Sequence, residues 1–132
     1  MIYMALNGEP DIKIGIKRIS GDLGIPAPFL AKILQVLAKH KLLTSTKGPN
    51  GGFGLIKNPQ KISLYEIVTV IDGNDIFDKC LISDRSCNDE NIPCPLHNNY
   101  ETIRIELRNF FQLQNIGSLS RDIKSQSRVF SL

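Results

Sequence analysis

The stretch ISGDLGIPAPFLAKILQVLAKHKLLTSTKGPNGGFGL, Ile19–Leu55, changes its hydrophobic period partway along. Around its first half, apolar residues recur at helical spacing. Ile16, Ile19 and Leu23 predict one helix over 15–23, and Leu30, Ile33, Leu34 and Leu37 predict a second over Ala27–His40. Gly24-Ile25-Pro26 breaks the two apart. Pro26 and Pro28 flank the first turn of the second helix, where backbone N–H groups have no helical partner. Past His40 the period falls to two. Leu42–Lys47 and Gly52–Lys57 predict strands joined by Gly48-Pro49-Asn50-Gly51, a hairpin with a Gly/Pro/Asn tip. Helix, three-residue break, helix and glycine-tipped hairpin is the order of a winged helix-turn-helix.

Upstream of this unit, residues 1–8 read as the end of a helix with Ile2, Ala5 and Leu6 on one side and Gly8 as its stop. Ile12–Ile14 reads as a very short strand or an extended lead-in. Downstream, Ser63 and Glu66 have capping-box spacing and open a helix whose Leu64, Ile67, Val68 and Ile71 are expected to pack inward until Gly73 ends it. Residues 74–95 read as irregular and hold all three cysteines. A long helix is predicted from Leu96 to Leu113, followed by a Ser-rich tail ordered only in a short turn around Leu119–Ile123. The fold class is therefore mainly α with a small β-hairpin. The expected divisions are a winged helix-turn-helix over 1–73, a cysteine-containing loop over 74–97, and a long helix with its tail over 98–132.

With 132 residues, 42% of them hydrophobic and 22% charged, the chain suits one compact domain with an appendage. Apolar runs are too short for a membrane span, and no leader of the secretory type is visible, so a cytoplasmic protein is expected. Three cysteines, an odd number, fit a reducing compartment in which thiols serve ligation or redox chemistry. The formal charge of +3 is unevenly spread. Lys13 to Lys57 holds eight Lys/Arg against one acid, Asp22, while residues 1–12 and 58–132 are each net −2. A basic third of this kind suits a polyanion. An enzyme is not expected, because there is no Ser/His/Asp set, no phosphate-cradling glycine motif leading into a helix, and only two histidines.

In a winged helix the second helix enters the major groove while the first crosses the backbone. With the stripe at 30, 33, 34 and 37 buried, Ala27, Pro28, Ala31, Lys32 and Gln35 are expected to face duplex DNA. The hairpin tip offers Lys47, Gly48, Asn50 and Gly51 to phosphates or the minor groove. The run from Leu43 to Leu55, LTSTKGPNGGFGL, resembles the wing signature of the IscR/NsrR family of bacterial repressors, and the likeness covers nearly the whole chain. That resemblance implies a winged helix-turn-helix, a cysteine loop that often carries an iron–sulfur cluster, and a long dimerisation helix. It also implies further helix upstream of Met1. Two positions depart from the family pattern: the usual wing arginine is Lys47, and an acidic residue common in the recognition helix is Ala31.

Cys80, Cys87, Cys94 and His97 form C-x6-C-x6-C-x2-H. Three thiolates and one imidazole make a full set for an iron–sulfur cluster or for tetrahedral zinc, and Asp84, Asp89 or Glu90 could replace His97. Metal-free thiols acting as a redox switch are the alternative, as is a zinc-stapled winged-helix module that contacts other proteins. Of cluster types, [2Fe–2S] is expected over [4Fe–4S]. On the last helix Leu96, Tyr100, Ile103, Leu107 and Phe110 follow i, i+4, i+7, i+11, i+14, the spacing of a coiled-coil seam. Tyr100, Ile103, Leu107 and Phe110 are the expected homodimer contacts, and two-fold symmetry would set two recognition helices on a palindromic operator.

Overall fold

The computed structural model describes residues 1–9, 11–84 and 94–126. Helices α1 (Ile2–Asn7), α2 (Ile16–Leu23) and α3 (Ala27–Lys39) precede strands β1 (Leu43–Thr46) and β2 (Gly52–Leu55). A 3-10 turn at Pro59–Lys61 leads to α4 (Leu64–Asp72), α5 (Asp75–Asp78), α6 (His97–Leu113) and α7 (Ile116–Ser125). The mainly helical chain with one antiparallel hairpin is the winged-helix architecture the sequence predicts.

Gly24 ends α2 in the left-handed region, at φ 65°, and its N–H donates to the Ser20 carbonyl. The two helices therefore meet at 118°, inside the range of about 90–120° that a helix-turn-helix requires. β1 and β2 pair from Leu43↔Leu55 to Thr46↔Gly52. Ile14 adds one residue of a third strand, exchanging two hydrogen bonds of 2.9 Å with Phe53. Gly52, at φ 146°, makes this possible, because a Cβ there would overlap the Ile14 carbonyl. The core gathers Ile14, Ile19, Leu30, Leu34, Leu37, Leu42, Leu43 and Phe53 with Ile62 and Ile116 from later elements.

Four local expectations are corrected. On α1 the fully buried pair is Tyr3 and Met4, with Ile2 half-buried against the same core and Ala5 and Leu6 half-exposed, and the Tyr3 hydroxyl reaches across to donate to the Asp22 carboxylate of α2. On α4 the residues against the core are Leu64, Ile67 and Val70, a turn of i, i+3, i+6, while Ile71 is exposed. Residues 75–78, expected to be irregular, form α5, which drives Phe77 into full burial. The tail is a ten-residue helix, α7, whose N-cap Asn115 accepts from the Ser118 N–H at 2.8 Å. It packs on α1 and on the 3-10 turn. The Ser63 cap forms as expected, accepting from the Glu66 N–H at 3.0 Å, and the Glu66 carboxylate binds Lys57. Among the described residues no single helix is long and apolar enough to cross a membrane.

Candidate nucleic-acid interface and cysteine pair

Burial around α3 fixes which side chains can meet a ligand. Leu30, Leu34 and Leu37 are buried; Pro28, Phe29, Lys32, Gln35, Val36 and Lys39 are exposed. Ala27 and Ala31, expected on the outer face, are only half-exposed. They lie on the row 27, 31, 34, which borders the buried stripe, so the helix turns them toward its flank. Phe29 and Val36 were absent from the expected face. The signal for them is available in the sequence, because Phe29 precedes buried Leu30 and sits i, i+3 from Lys32.

The wing tip presents Lys47, Gly48, Pro49 and Asn50 to solvent, with Gly51 half-buried where its N–H donates to the Gly48 carbonyl at 2.9 Å. Five lysines of the basic third, Lys17, Lys32, Lys39, Lys41 and Lys47, are exposed, and among the described residues none pairs with a carboxylate. Their charge is thus left unneutralised by the described residues. The remaining bases are engaged. Lys57 binds Glu66 at 2.9 Å, Arg18 lies 3.9 Å from Asp22, and Lys13 donates to the Thr44 hydroxyl.

Cys80 follows α5 directly and Cys94 leads into α6, which brings their Sγ atoms to 3.2 Å. Both are half-buried. A hydrogen bond from the Ile82 backbone, followed in weight by the Cys94 thiol, pulls the Cys80 thiol down to about 7, against the opposing effect of burial. His97, first residue of α6, donates its backbone N–H to the Cys94 carbonyl at 3.0 Å. Cys87 lies outside the described residues, as do Asp89 and Glu90. Among the described residues no group of three or more His, Cys, Asp or Glu side chains gathers closely enough to hold a metal ion.

Two arginines that the sequence gave no reason to select tie this region to α6. Arg104, 2% exposed, donates to the Lys79 carbonyl at 3.1 Å, pairs with Glu101 and stacks on Tyr100. Arg108, one turn on, donates to the Phe77 carbonyl and to Asp78 at 2.6 Å. The backbone just before Cys80 is therefore held by guanidinium groups of the long helix. Of α6 itself only Arg104 is buried. Along the expected seam Leu96, Ile103 (57%) and Phe110 (54%) are exposed, and Tyr100 and Leu107 are half-buried. Ile105 and Leu113 (79%) are exposed as well.

A family model described as "Rrf2: Iron-dependent Transcriptional regulator" matches residues 1–122. A protein of Aquifex aeolicus (strain VF5), named as an HTH-type transcriptional regulator, is 32% identical over 120 residues, 90% of this chain and 82% of its own. Among solved structures, CymR, the global cysteine regulator of B. subtilis, superposes with a TM-score of 0.74 at 18% identity, covering 91% of this chain and 86% of that one. T. potens IscR superposes at 0.71 with 17% identity, over 99% of this chain and 84% of its own. At such identities the two structures establish the fold. The matched family and the relative are regulators of transcription, not enzymes.

Proposed function

The chain belongs to the Rrf2 family of transcriptional regulators, and we propose that it binds a palindromic duplex operator as a homodimer whose affinity follows the state of its cysteines. The five exposed lysines, which have no acidic partner among the described residues, carry the DNA part of this reading, since a surface left so charged is completed by phosphates. α3 enters the major groove by its first turns, with Lys32 and Gln35 toward phosphates or base edges. Pro28 lies on that outer face, and the small side chains of Ala27 and Ala31 leave room at its flank. Lys47, Gly48, Asn50 and Gly51 lie against the backbone beside it. Lys47→Ala is expected to weaken binding to every duplex alike and to lower the slope of log affinity against log salt by about 0.9, one phosphate contact. An unchanged slope in gel-shift titrations over several salt concentrations removes Lys47 from the interface, and an absence of salt-dependent binding in the wild type overturns the DNA reading.

The donor set fits a cluster. Cys80 and Cys94 present two soft sulfur ligands side by side, one of them half ionised near neutrality, and Cys87 and His97 belong to the same short run. These four residues would hold an iron–sulfur cluster, [2Fe–2S] in preference to [4Fe–4S], which would supply a group that is gained or lost with iron, sulfide or oxidant. The 3.2 Å between Cys80 and Cys94 also favours a second reading, a metal-free thiol switch. There the Cys80 thiolate attacks a peroxide oxygen, leaving a sulfenic acid and, after protonation, one water or alcohol. Cys94 then displaces the hydroxyl as water to close the disulfide. In either case Arg104 and Arg108 transmit the change, because they bind the strap before Cys80 and ride on the helix that carries the dimer seam. Anaerobically purified protein is expected to be coloured and to lose that colour in each of Cys80→Ala, Cys87→Ala and Cys94→Ala. Colour that survives in all three overturns the ligand assignment. A colourless, metal-free protein whose DNA affinity changes on peroxide treatment selects the thiol switch, and stoichiometric zinc replaces both with a structural site.

A further inference from the structure

The outer face of α3 has two edges of different chemistry. Pro28, Lys32, Gln35 and Lys39 make a polar, cationic edge, whereas Phe29 and Val36, at i and i+7, make an apolar one beside it. Phe29 is 60% exposed in the first turn of the helix, the part that a recognition helix inserts deepest. Phe29 and Val36 together form an apolar edge within a lysine-rich surface. The Phe29 ring cannot bind a phosphate, having no hydrogen to donate. In the major groove the apolar feature on offer is the C5 methyl group of thymine.

We infer that Phe29, with Val36 along the same edge, reads a thymine methyl in each half-site, and that it is a specificity-determining residue. The inference rests on the DNA reading above and adds to it a base identity. Lys32 and the wing supply the attraction common to all sequences. Phe29 supplies discrimination, because a G·C pair in either orientation, or the A·T pair turned round, takes the methyl group away from the ring. The apolar strip is bordered by Lys32 and Lys39, which have no acidic partner among the described residues, and their charge is complementary to the phosphates of a duplex seated on this edge.

The test uses the full chain and the tightest duplex recovered from a random pool. Each thymine of that duplex is replaced in turn by deoxyuridine, which removes the methyl and leaves base pairing intact. The wild type is expected to lose about fourfold in affinity at one position per half-site, and about fifteenfold with both replaced, the worth of one buried methyl each. Phe29→Ala, a change on an exposed side chain that the fold does not use, is expected to bind the thymine and uracil duplexes equally; Phe29→Leu is expected to retain the difference. A flat uracil profile in the wild type, or the same uracil loss in Phe29→Ala, overturns the contact. If salt-dependent binding persists while the profile is flat, the DNA reading stands and this contact alone falls. If no duplex is bound, both fall.

Discussion

Ile103→Asp is expected to yield a folded monomer at concentrations, on the order of ten micromolar, at which the proposed wild-type dimer is expected to hold. Ile103 is 57% exposed, and its neighbours along α6, Leu96 and Phe110, are exposed too. An aspartate there costs the isolated chain almost nothing. In a two-fold dimer the same surface meets itself, so each substitution is felt twice, and each carboxylate loses its water without gaining a cationic partner from the seam. The penalty is several kcal/mol, and every 1.4 kcal/mol weakens association about tenfold. Leu107→Asp acts in the same direction, but Leu107 is half-buried within its own chain, so part of its cost falls on the fold. Ile103→Asp separates the two effects. Sedimentation velocity gives the state of assembly and circular dichroism the integrity of the helices. DNA affinity is expected to fall with the dimer, since one recognition helix then loses its tethered partner. A wild type that sediments as a monomer at tens of micromolar overturns the two-headed arrangement.

The parts of the fold legible in the sequence are those whose signals are local. Ile16, Ile19 and Leu23, then Leu30, Leu34 and Leu37, announce their helices by period, and Gly24 and Ser63 mark the turn and the cap because their backbone requirements are set within a few residues. α5 escaped because four residues are about one turn, too few to display a period, and Asn74, Asp75 and Asp78 have loop composition. α7 escaped for a different reason. It is serine-rich and buries Ile116, Gly117 and Ser120, small residues apart from the isoleucine, against the 3-10 turn, where a Cβ at Gly117 would strike Gln60. Close packing of small side chains leaves little hydrophobic signature.

At the candidate site the same division holds. The basic third and the outward Lys32 and Gln35 follow from composition and helical geometry. The displacement of Ala27 and Ala31 toward the flank does not, because it depends on where the neighbouring elements close over α3. Arg104 was invisible: an arginine in a helix is expected at the surface, and its reason for burial is the carbonyl of Lys79, twenty-five residues earlier in the chain. The closeness of Cys80 and Cys94 is likewise a product of α5 and its anchors rather than of the spacing between the two thiols.

That anchor is Phe77, and Phe77→Ala is expected to have the largest effect on stability of any single substitution outside the main core. The ring is completely buried, 4.9 Å from Tyr65 and 5.6 Å from Phe111 by ring centroids, so it joins α4 to α6. A four-residue helix has no stability of its own, and α5 stays in place through this ring and the hydrogen bonds to Arg104 and Arg108. Truncation removes the aromatic contacts and leaves a cavity, a cost of about 3–5 kcal/mol. In a chain of this length that lowers the thermal midpoint by about 10–18 °C. The loss is not uniform. Ile19, Leu34 and Phe53 belong to a core that does not include Phe77, so the DNA-binding half keeps its fold while α5 loosens and the Cys80–Cys94 pair separates. Below the melting point, amide exchange is expected to quicken over residues 75–80 with little change over 30–37, and the thiols are expected to lose their ability to pair. Phe77→Leu, which keeps most of the volume, is expected to restore both. If Phe77→Ala melts within about 3 °C of the wild type, or if exchange quickens equally in α3, the cysteine strap is not the separately anchored element described here.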